Sequence, residues 1–568
     1  MTIEEDKKIK RIKKIYDLMK KKRSSWDSLR QEIADYVLPL REDMAEDEEK
    51  GKKKGAKTYD GTAVVALNLF ADGIHGNMMS PALKWFVLKL PQKLKFLENI
   101  PEVSLWMQDF TDGLYAAFQN SNFYSEMRMF LRDGGSIGTA SMFVEEDIGR
   151  QKLCFHTLHP REGFIAENQY REIDTFVRQT KYEARQAVAK FGIENVSQRI
   201  KDAIERNPFA EFDFLHLVTP RETYDDRKID RLNMPYESLW VEKNGDKLIR
   251  ESGFELFPYF VWRYALNGND IYGSSPASYA LPEIKSLNVI SKSVLGAAQM
   301  AVEPPYNIPA EMKGRERLVP HGRNYYGNDP NRRIYPVFNS GITFPIALDR
   351  EEKKRELIRE HYHVNFFLML AQSERTMTAT EVTEKMGEKA SVLGAAIGDL
   401  TTTIDNIIDY VSYLEIKAGR IPEPPEILTY HAGGERIDTI YTGTLAQAQR
   451  RLLETQSITR SLELVLPLLQ VFPDAADVID SDKSVEKILL SNGYPRDAIR
   501  TLEKIAQIRK ARTEGQLQEN QKVDLERIAD VIKKLAQAAK HSGTSLQEMM
   551  AQTGMGGQQA LPPEMAEV

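Results

Sequence analysis

Three stretches of this sequence bring together residue types from which chemistry is built. The first is GKKKGAKT, residues 51–58. Gly51, Lys57 and Thr58 stand where a phosphate-binding loop needs its first glycine, its lysine and its hydroxyl, with Ala56 where the second glycine belongs. The second is GGSIG, residues 134–138, which sets Ser136 in the pattern of a nucleophile elbow. The third is Cys154, His156 and His159, which offer thiol and imidazole ligands for a metal.

Each chemistry demands a particular neighbourhood. A phosphate loop leaves a buried strand and opens a helix, so that the helix N-terminus meets the phosphate. Here the acidic run EDMAEDEEK precedes Gly51, and the Cβ of Ala56 stands where the backbone must close on the phosphate. The stretch reads as a charged surface loop. An elbow runs strand, serine, helix; here an amphipathic helix leads in and a strand leads out, so GGSIG reads as a glycine-rich turn. Positions 154 and 156 share one face of a strand, but a closed zinc site takes four ligands, and no CxxC or HExxH accompanies them. That stretch reads as a half-buried strand with a buried thiol. His361 and His363, two apart on one helix, lie about 200° around it and cannot share a metal. Glu145 and Glu146 read as surface charge at a strand end. No catalytic site, metal site or cofactor is expected.

The elements that hold these residues fall into two halves. A helix is expected from Ile9 to Leu38, with Trp26, Leu29, Ile33 and Val37 on one face and Pro39 ending it. Ten Lys and Arg fall between Lys7 and Arg23; they read as a solvated face, with nucleic acid or an acidic lipid surface as the alternative. A helix capped by Asp60 or Thr62 and ending in glycine turns follows, then a strand within residues 80–90. Helices are expected at Pro101–Asn120 and Phe123–Arg132. From Thr139 to Trp262 the pattern is short strands rich in β-branched and aromatic residues, interrupted by a helix near Glu183–Phe191.

The second half is mostly helical. Ser275 as N-cap and Pro276 at the first helical position open a helix that stops at Pro304 and Pro305. A Gly/Pro/Arg-rich insertion with short strands runs from Tyr306 to Leu348. A helix then reaches Gln372, and the break SERTM follows. A capping box of Thr378 and Glu381 starts a helix of about 60 Å, ending near Gly419. Its apolar face is Val382, Met386, Leu393, Ile397, Leu400, Ile404, Ile407 and Val411, with Gly394 and Gly398 as kink sites. So long a one-faced helix needs neighbours, which suggests an assembly. A short strand and further helices over 444–469, 484–491, 496–512 and 517–540 follow, then a tail expected to be disordered. The fold class is α+β.

Composition narrows the function. The 568 residues suffice for roughly three to four domains. Acids outnumber bases, 83 to 77, for a net charge of −6, so there is no overall basic excess for gripping nucleic acid. Cys154 is the single cysteine, which excludes a disulfide framework. No apolar run approaches a membrane span of about 20 residues, and the Lys-rich N-terminal segment lacks an apolar signal core, so secretion is not expected.

The whole sequence resembles one family, the head-to-tail connector, or portal protein, of short-tailed (podovirus) bacteriophages. The resemblance runs from about Trp26 to Arg512, in segments that keep the family's order. They are SWDSLRQEIADYVLPLR (25–41), YDGTAVVALNLFADGIHGNMMSPALKWFVLKL (59–90), NFYSEMRMFLRDGGSIGTASMFVEED (122–147) and YGSSPASYALPEIKSLN (272–288). RTMTATEVTEKMGEKASVLGA (375–395), GRIPEPPEIL (419–428), LAQAQRRLLETQSI (445–458) and NGYPRDAIRTLEKIAQIRKAR (492–512) continue the series.

The resemblance implies a portal-type subunit: an α/β wing over 1–271, a stem helix over 272–305, a small clip over 306–348 and a second stem helix over 349–372. A channel loop over 373–377, a long wing helix and strand over 378–461, an all-helical crown over 462–540 and a disordered tail over 541–568 complete it. It implies that Arg315, Arg317, Arg323, Arg332 and Arg333 of the clip dock the terminase large subunit and later a tail adaptor or tube protein. Ser373, Glu374, Arg375, Thr376 and Met377 would contact double-stranded DNA in the channel without sequence specificity. It further implies a homo-dodecameric ring at one capsid vertex of the virion, assembled in the host cytoplasm with major capsid and scaffolding proteins and without a membrane. The terminase supplies ATP hydrolysis, so the subunit is no enzyme. Two alternatives remain at this stage: a serine hydrolase using Ser136, and a membrane-surface or scaffold protein using the basic N-terminal helix.

Overall fold

The computed structural model describes residues 3–41, 44, 58–147, 149–225, 227–228, 230–245, 247–302, 305–318, 324–325, 333–336, 345–372, 394–432, 437–442 and 504. The chain divides into two units, residues 1–368 with 395–440, and 369–394 with 441–568; nearly all described residues belong to the first. That unit mixes helix and sheet, as the α+β expectation has it.

Its centre is an antiparallel meander of β4 (Gly163–Glu167), β5 (Ile173–Glu183), β6 (Glu211–Pro220), β7 (Tyr236–Glu242) and β8 (Leu248–Phe254), in that order. Alternate side chains point to opposite faces of a strand, and here both faces are covered. On one face Phe164, Val177, Leu215, Leu217, Leu239 and Val241 pack against Ile9, Ile12 and Tyr16 of the long helix α1 (Ile3–Val37). On the other, Phe214, Trp240 and Ile249 meet α5 (Ala184–Phe191) and α6 (Gln198–Arg206) through Ala184, Ala187, Phe191 and Ile200. Coverage from both sides is why β6 is buried from Phe214 to Thr219 without a break.

A second antiparallel sheet, in the order β3 (Lys152–Thr157), β2 (Thr139–Asp147), β9 (Tyr259–Arg263), packs on α4 (Phe123–Ile137). Around it lie α2 (Thr62–Met78), β1 (Phe86–Lys89) and α3 (Pro101–Gln119). Then come α7 (Pro276–Val302), the pair β10 (Tyr306–Asn307) and β11 (Tyr335–Pro336), α8 (Pro345–His361), α9 (Val364–Gln372), α10 (Gly394–Lys417), α11 (Glu426–Ala432) and β12 (Asp438–Tyr441). The apolar stripe Ile397, Leu400, Ile404, Ile407, Val411 on α10 is buried as its spacing predicts. Val382, Met386, Leu393 and the Thr378–Glu381 capping box lie outside the described residues, as do the helices expected from 444 onward.

Several expectations are corrected. The helix α4 continues through Gly134, Gly135 and Ser136 and ends only at Gly138, whose φ of 82° suits glycine, so GGSIG is a helix end and not a turn beyond it. Gly73 and Gly76 lie inside α2; Gly73 is there because the Phe367 ring lies against it, leaving no space for a Cβ. Leu29 is 39% exposed, while Arg23 and Arg30 are buried on the inner face of α1. The helix expected from Asp349 to Gln372 is two, α8 and α9, broken at Tyr362 and His363, the latter at φ 53°. The strands β4, β5 and β8 fall inside the strand-rich region expected from Thr139 to Trp262, whereas the helices α6 and α11 have no counterpart among the expected elements.

Candidate functional site

Ser136 has no path to a substrate. It is fully buried, and its Oγ donates to the Arg132 carbonyl at 2.8 Å, the back-bond of a helical serine. Its own carbonyl accepts a hydrogen bond from Ser275 Oγ at 2.6 Å. Around this contact the end of α4 and the start of α7 are stitched together. Gly273 N–H donates to Thr139 Oγ1 at 2.9 Å, Tyr264 N–H donates to the Gly138 carbonyl at 3.0 Å, and Gly138 and Gly273 approach too closely for either to carry a Cβ. Ser275 caps α7 as its sequence position predicts: Ser278 N–H donates to Ser275 Oγ at 3.0 Å. GGSIG is therefore a joint between helices.

The proposed metal ligands are also engaged structurally. The strand β3 is half-buried as expected, but its inward residues are Leu153 and Phe155 and Cys154 is only partly buried; burial still pushes its thiol pKa up, away from the reactive thiolate. His156 Nε2 sits 3.3 Å from Glu145 Oε1. Among the described residues no three His, Cys, Asp or Glu converge on a metal position. Glu145 is more than strand-end charge. Burial acts to raise its pKa, but the His156 hydrogen bond and Lys190, 3.1 Å away, outweigh that and hold it at about 2. Glu146 meets Arg420, which also binds Glu415.

A connected set of polar contacts ties the helix pair α7–α8 to the start of α2 and to α1. Arg355 on α8 reaches Asp60 at 3.0 Å and Glu351 at 3.4 Å. Asp60 in turn accepts the Thr62 N–H at 2.8 Å, at the first residue of α2. Burial works to raise the Asp60 pKa, and the Thr62 donors and the Arg355 guanidinium together hold it below the usual range. Asn288 of α7 accepts the Tyr59 N–H at 2.7 Å, and Ser291 donates to Glu351 at 2.8 Å across the pair. Lys285 binds Glu32 of α1. These ties fix the direction in which α7 and α8 leave the sheet domain.

Between α7 and α8 lies the Arg-rich insertion, with β10 and β11 paired Tyr306 to Pro336 and Asn307 to Tyr335. Arg315 and Arg317 are exposed on its turn, which is closed by Asn324: Arg317 N–H donates to Asn324 Oδ1 at 2.7 Å and Asn324 Nδ2 donates back to the Arg317 carbonyl at 3.0 Å. Arg333 is also exposed. Arg323 and Arg332, and the whole segment Ser373, Glu374, Arg375, Thr376 and Met377, lie outside the described residues.

The basic helix α1 divides its charges between two tasks. On the inner side, Lys8 pairs with Glu251 at 2.8 Å, Arg11 with Glu237 at 3.0 Å, and Lys13 donates to the Gly245 carbonyl at 2.8 Å. Arg23 is buried over the Phe164 ring, 3.8 Å from its centroid, and donates to the carbonyls of Gly163 and Arg161 at 2.6 and 2.9 Å. Arg30 lies over Tyr272, 4.6 Å away, and burial together with the Arg23 charge lowers its pKa to about 10. The sequence reading missed both. The signal was present: Ile9, Tyr16, Arg23, Arg30 and Val37 recur every seven residues, and all five are buried.

Comparison with known proteins gives the family. The family described as bacteriophage head to tail connecting protein matches residues 9–499. The "Probable portal protein" of Bordetella phage BPP-1 is 29% identical over 525 residues, covering 91% of this chain and 93% of that protein. The "Portal protein" of Salmonella phage epsilon15 is 29% identical over 507 residues, covering 87% and 89%.

Proposed function

Because the chain belongs to the bacteriophage head to tail connecting protein family, we propose that it is a phage portal: a subunit of a closed ring at one capsid vertex, through which DNA is packaged and later ejected. The observation that carries this reading is the match over residues 9–499 together with similarity to two portal proteins along almost their whole lengths. The family role is structural, and the burial of Ser136 removes the hydrolase alternative. Among the described residues no helix is long and apolar enough to cross a membrane.

The fold supports a division of labour. The sheets with α1 to α6 form the wing over 1–271, α7 and α8 with α9 the stem helices over 272–305 and 349–372, and the insertion between them, 306–348, the clip. The segment 373–377 is the channel loop, α10 and β12 belong to the long wing helix and strand over 378–461, 462–540 is the crown, and 541–568 is the tail. The ion pairs joining Arg355 to Asp60 and Lys285 to Glu32 support this assignment, since a stem must be held at a fixed angle to its wing. Exposed Arg315, Arg317 and Arg333, with Arg323 and Arg332, present a cationic docking surface to the terminase large subunit and then to a tail adaptor or tube protein. Arg375 and its neighbours meet double-stranded DNA weakly, as sliding requires. The ring assembles in the host cytoplasm with major capsid and scaffolding proteins.

Twelve copies of 64.9 kDa give a ring of roughly 780 kDa. Negative-stain images and native mass spectrometry of the full chain test the reading: rings with an axial hole are expected, and monomer alone under every assembly condition would overturn it. Reversing the charge of Arg332 and Arg333 should leave rings intact and weaken partner binding. Deleting Glu374 to Met377 should leave packaging able to start but allow DNA to slip back.

A further inference from the structure

The outward face of α1 has a chemistry that the subunit's own fold does not require. The buried stripe of Ile9, Ile12 and Tyr16 fixes which side of the helix faces the sheet. Opposite that stripe, at about 100° per residue, Lys7, Lys14 and Lys21 fall within about 40° of one another, spaced about 10 Å along the axis. All three are exposed, as are Lys20 and Lys22 beside them, and none of the five has an ion-pair partner among the described residues. The acids nearby do not cancel them: Glu4, itself exposed, is joined to Lys8, Asp6 is joined to Lys10, and Asp17 is exposed at the edge of the stripe, one acid beside five lysines. The helix is held by other cations, Lys8, Arg11 and Lys13, which bind the sheet. The outer lysines therefore add charge without adding to the fold.

We propose that this stripe is a docking surface for duplex DNA, separate from the channel loop and the clip. The character of the face selects the partner. Insertion into lipid needs an apolar face, but the apolar face of α1 is buried in the sheet core, and on its outer side Ile3 and Leu18 are exposed about 22 Å apart along the axis rather than as a patch. Single-stranded nucleic acid needs aromatic platforms for its bases, and Tyr16, the aromatic residue of this segment, is buried. What remains is a straight row of point charges spanning about 21 Å, suited to the closely spaced phosphates of a duplex and indifferent to its sequence. The stripe uses none of the residues assigned to the channel or clip, so it stands or falls independently of them.

Fluorescence anisotropy of the full chain with a labelled duplex of about 30 base pairs tests this, comparing the parent with Lys7→Gln/Lys14→Gln/Lys21→Gln and with the control Lys89→Gln/Lys95→Gln, exposed lysines elsewhere. Loss of three phosphate contacts should flatten the salt dependence by about 2.7 in slope, so that over a four-fold rise in salt the triple variant loses about 40-fold less affinity than the parent. The control should behave as the parent. Unchanged affinity and slope in the triple variant would overturn the proposal. So would equal lysine-dependent binding to polyglutamate or to phosphatidylserine vesicles, which would reassign the surface to an acidic protein or to a membrane.

Discussion

Ser275 Oγ donates to the Ser136 carbonyl oxygen at 2.6 Å, so the first turn of α7 hangs from the last turn of α4. Ser275 Oγ also accepts the Ser278 N–H, so one hydroxyl caps a helix and fixes its origin.

Replacing Ser275 by Ala removes the cap and leaves a buried carbonyl without its donor. A loss of about 2–3 kcal/mol is expected, from about 1 for the cap and 1–2 for the orphaned acceptor. Ser275→Thr, which keeps the hydroxyl, should recover most of it. Ser136→Ala removes only a back-bond to Arg132 and should cost less than Ser275→Ala in denaturant unfolding. The reverse order would show that the joint is held from the other side.

These two serines also show what the sequence made legible. Ser275 followed by Pro276 was read correctly because a cap is local chemistry, written within three residues. GGSIG was misread because its glycines answer to distant partners: a Cβ on Gly134 would meet Trp262, and one on Gly135 would meet Phe70. Tertiary packing of that kind leaves no local trace. The Leu29 error has a related origin. Hydrophobicity alone chose Leu29 for the inner face, whereas the seven-residue phase running through Tyr16 and Val37 selects Arg23 and Arg30. The bounds of strand β5, IDTFVRQTKYE, are hard to read within that strand-rich region because its polar positions look solvent-facing, yet Arg178 is nearly covered and pairs with Glu162 at 3.1 Å.

Gly73→Ala places a Cβ inside the Phe367 ring's space on the α2–α9 contact. Overpacking of this kind costs about 1–3 kcal/mol. The double variant Gly73→Ala/Phe367→Leu should cost less than the sum of the two single changes, a coupling read directly from a thermodynamic cycle. Additive losses would mean that the ring swings away freely.

Glu145 gives a pH signature. Its folded pKa, held at about 2, lies below its ordinary value near 4.5. A depressed carboxylate contributes stability that is present above its unfolded pKa and lost as pH falls through the folded one. The loss therefore falls between about pH 4.5 and 2. With 34% of the side chain exposed, solvent screening limits the contribution to about 1–2 kcal/mol. Glu145→Gln should be destabilised at neutral pH and show a flatter acid limb; parallel acid limbs would show that another carboxylate governs it.

Arg23 supplies the sharpest discrimination, because two opposite expectations can be set against one another. A buried charge is often replaceable by an apolar residue of similar volume without loss, since the charge no longer has to leave water. Arg23 differs in what it binds. Its guanidinium donates to the carbonyls of Gly163 and Arg161, its Nε donates to Asp27 at 3.1 Å, and its guanidinium carbon sits 3.8 Å from the Phe164 ring centroid. Replacing it with Met keeps the bulk but leaves those buried carbonyls without their donor and Asp27 with only the longer Arg30 contact at 3.6 Å, which should cost about 3–5 kcal/mol. Lys keeps the charge but cannot span two divergent carbonyls and a carboxylate at once, so it should cost an intermediate amount. The expected order of stability is Arg, then Lys, then Met, measured by urea unfolding monitored at the sheet domain. If Met proves as stable as Arg, the turn at 160–163 is held by its own backbone, and the guanidinium only fills space between α1 and the sheet.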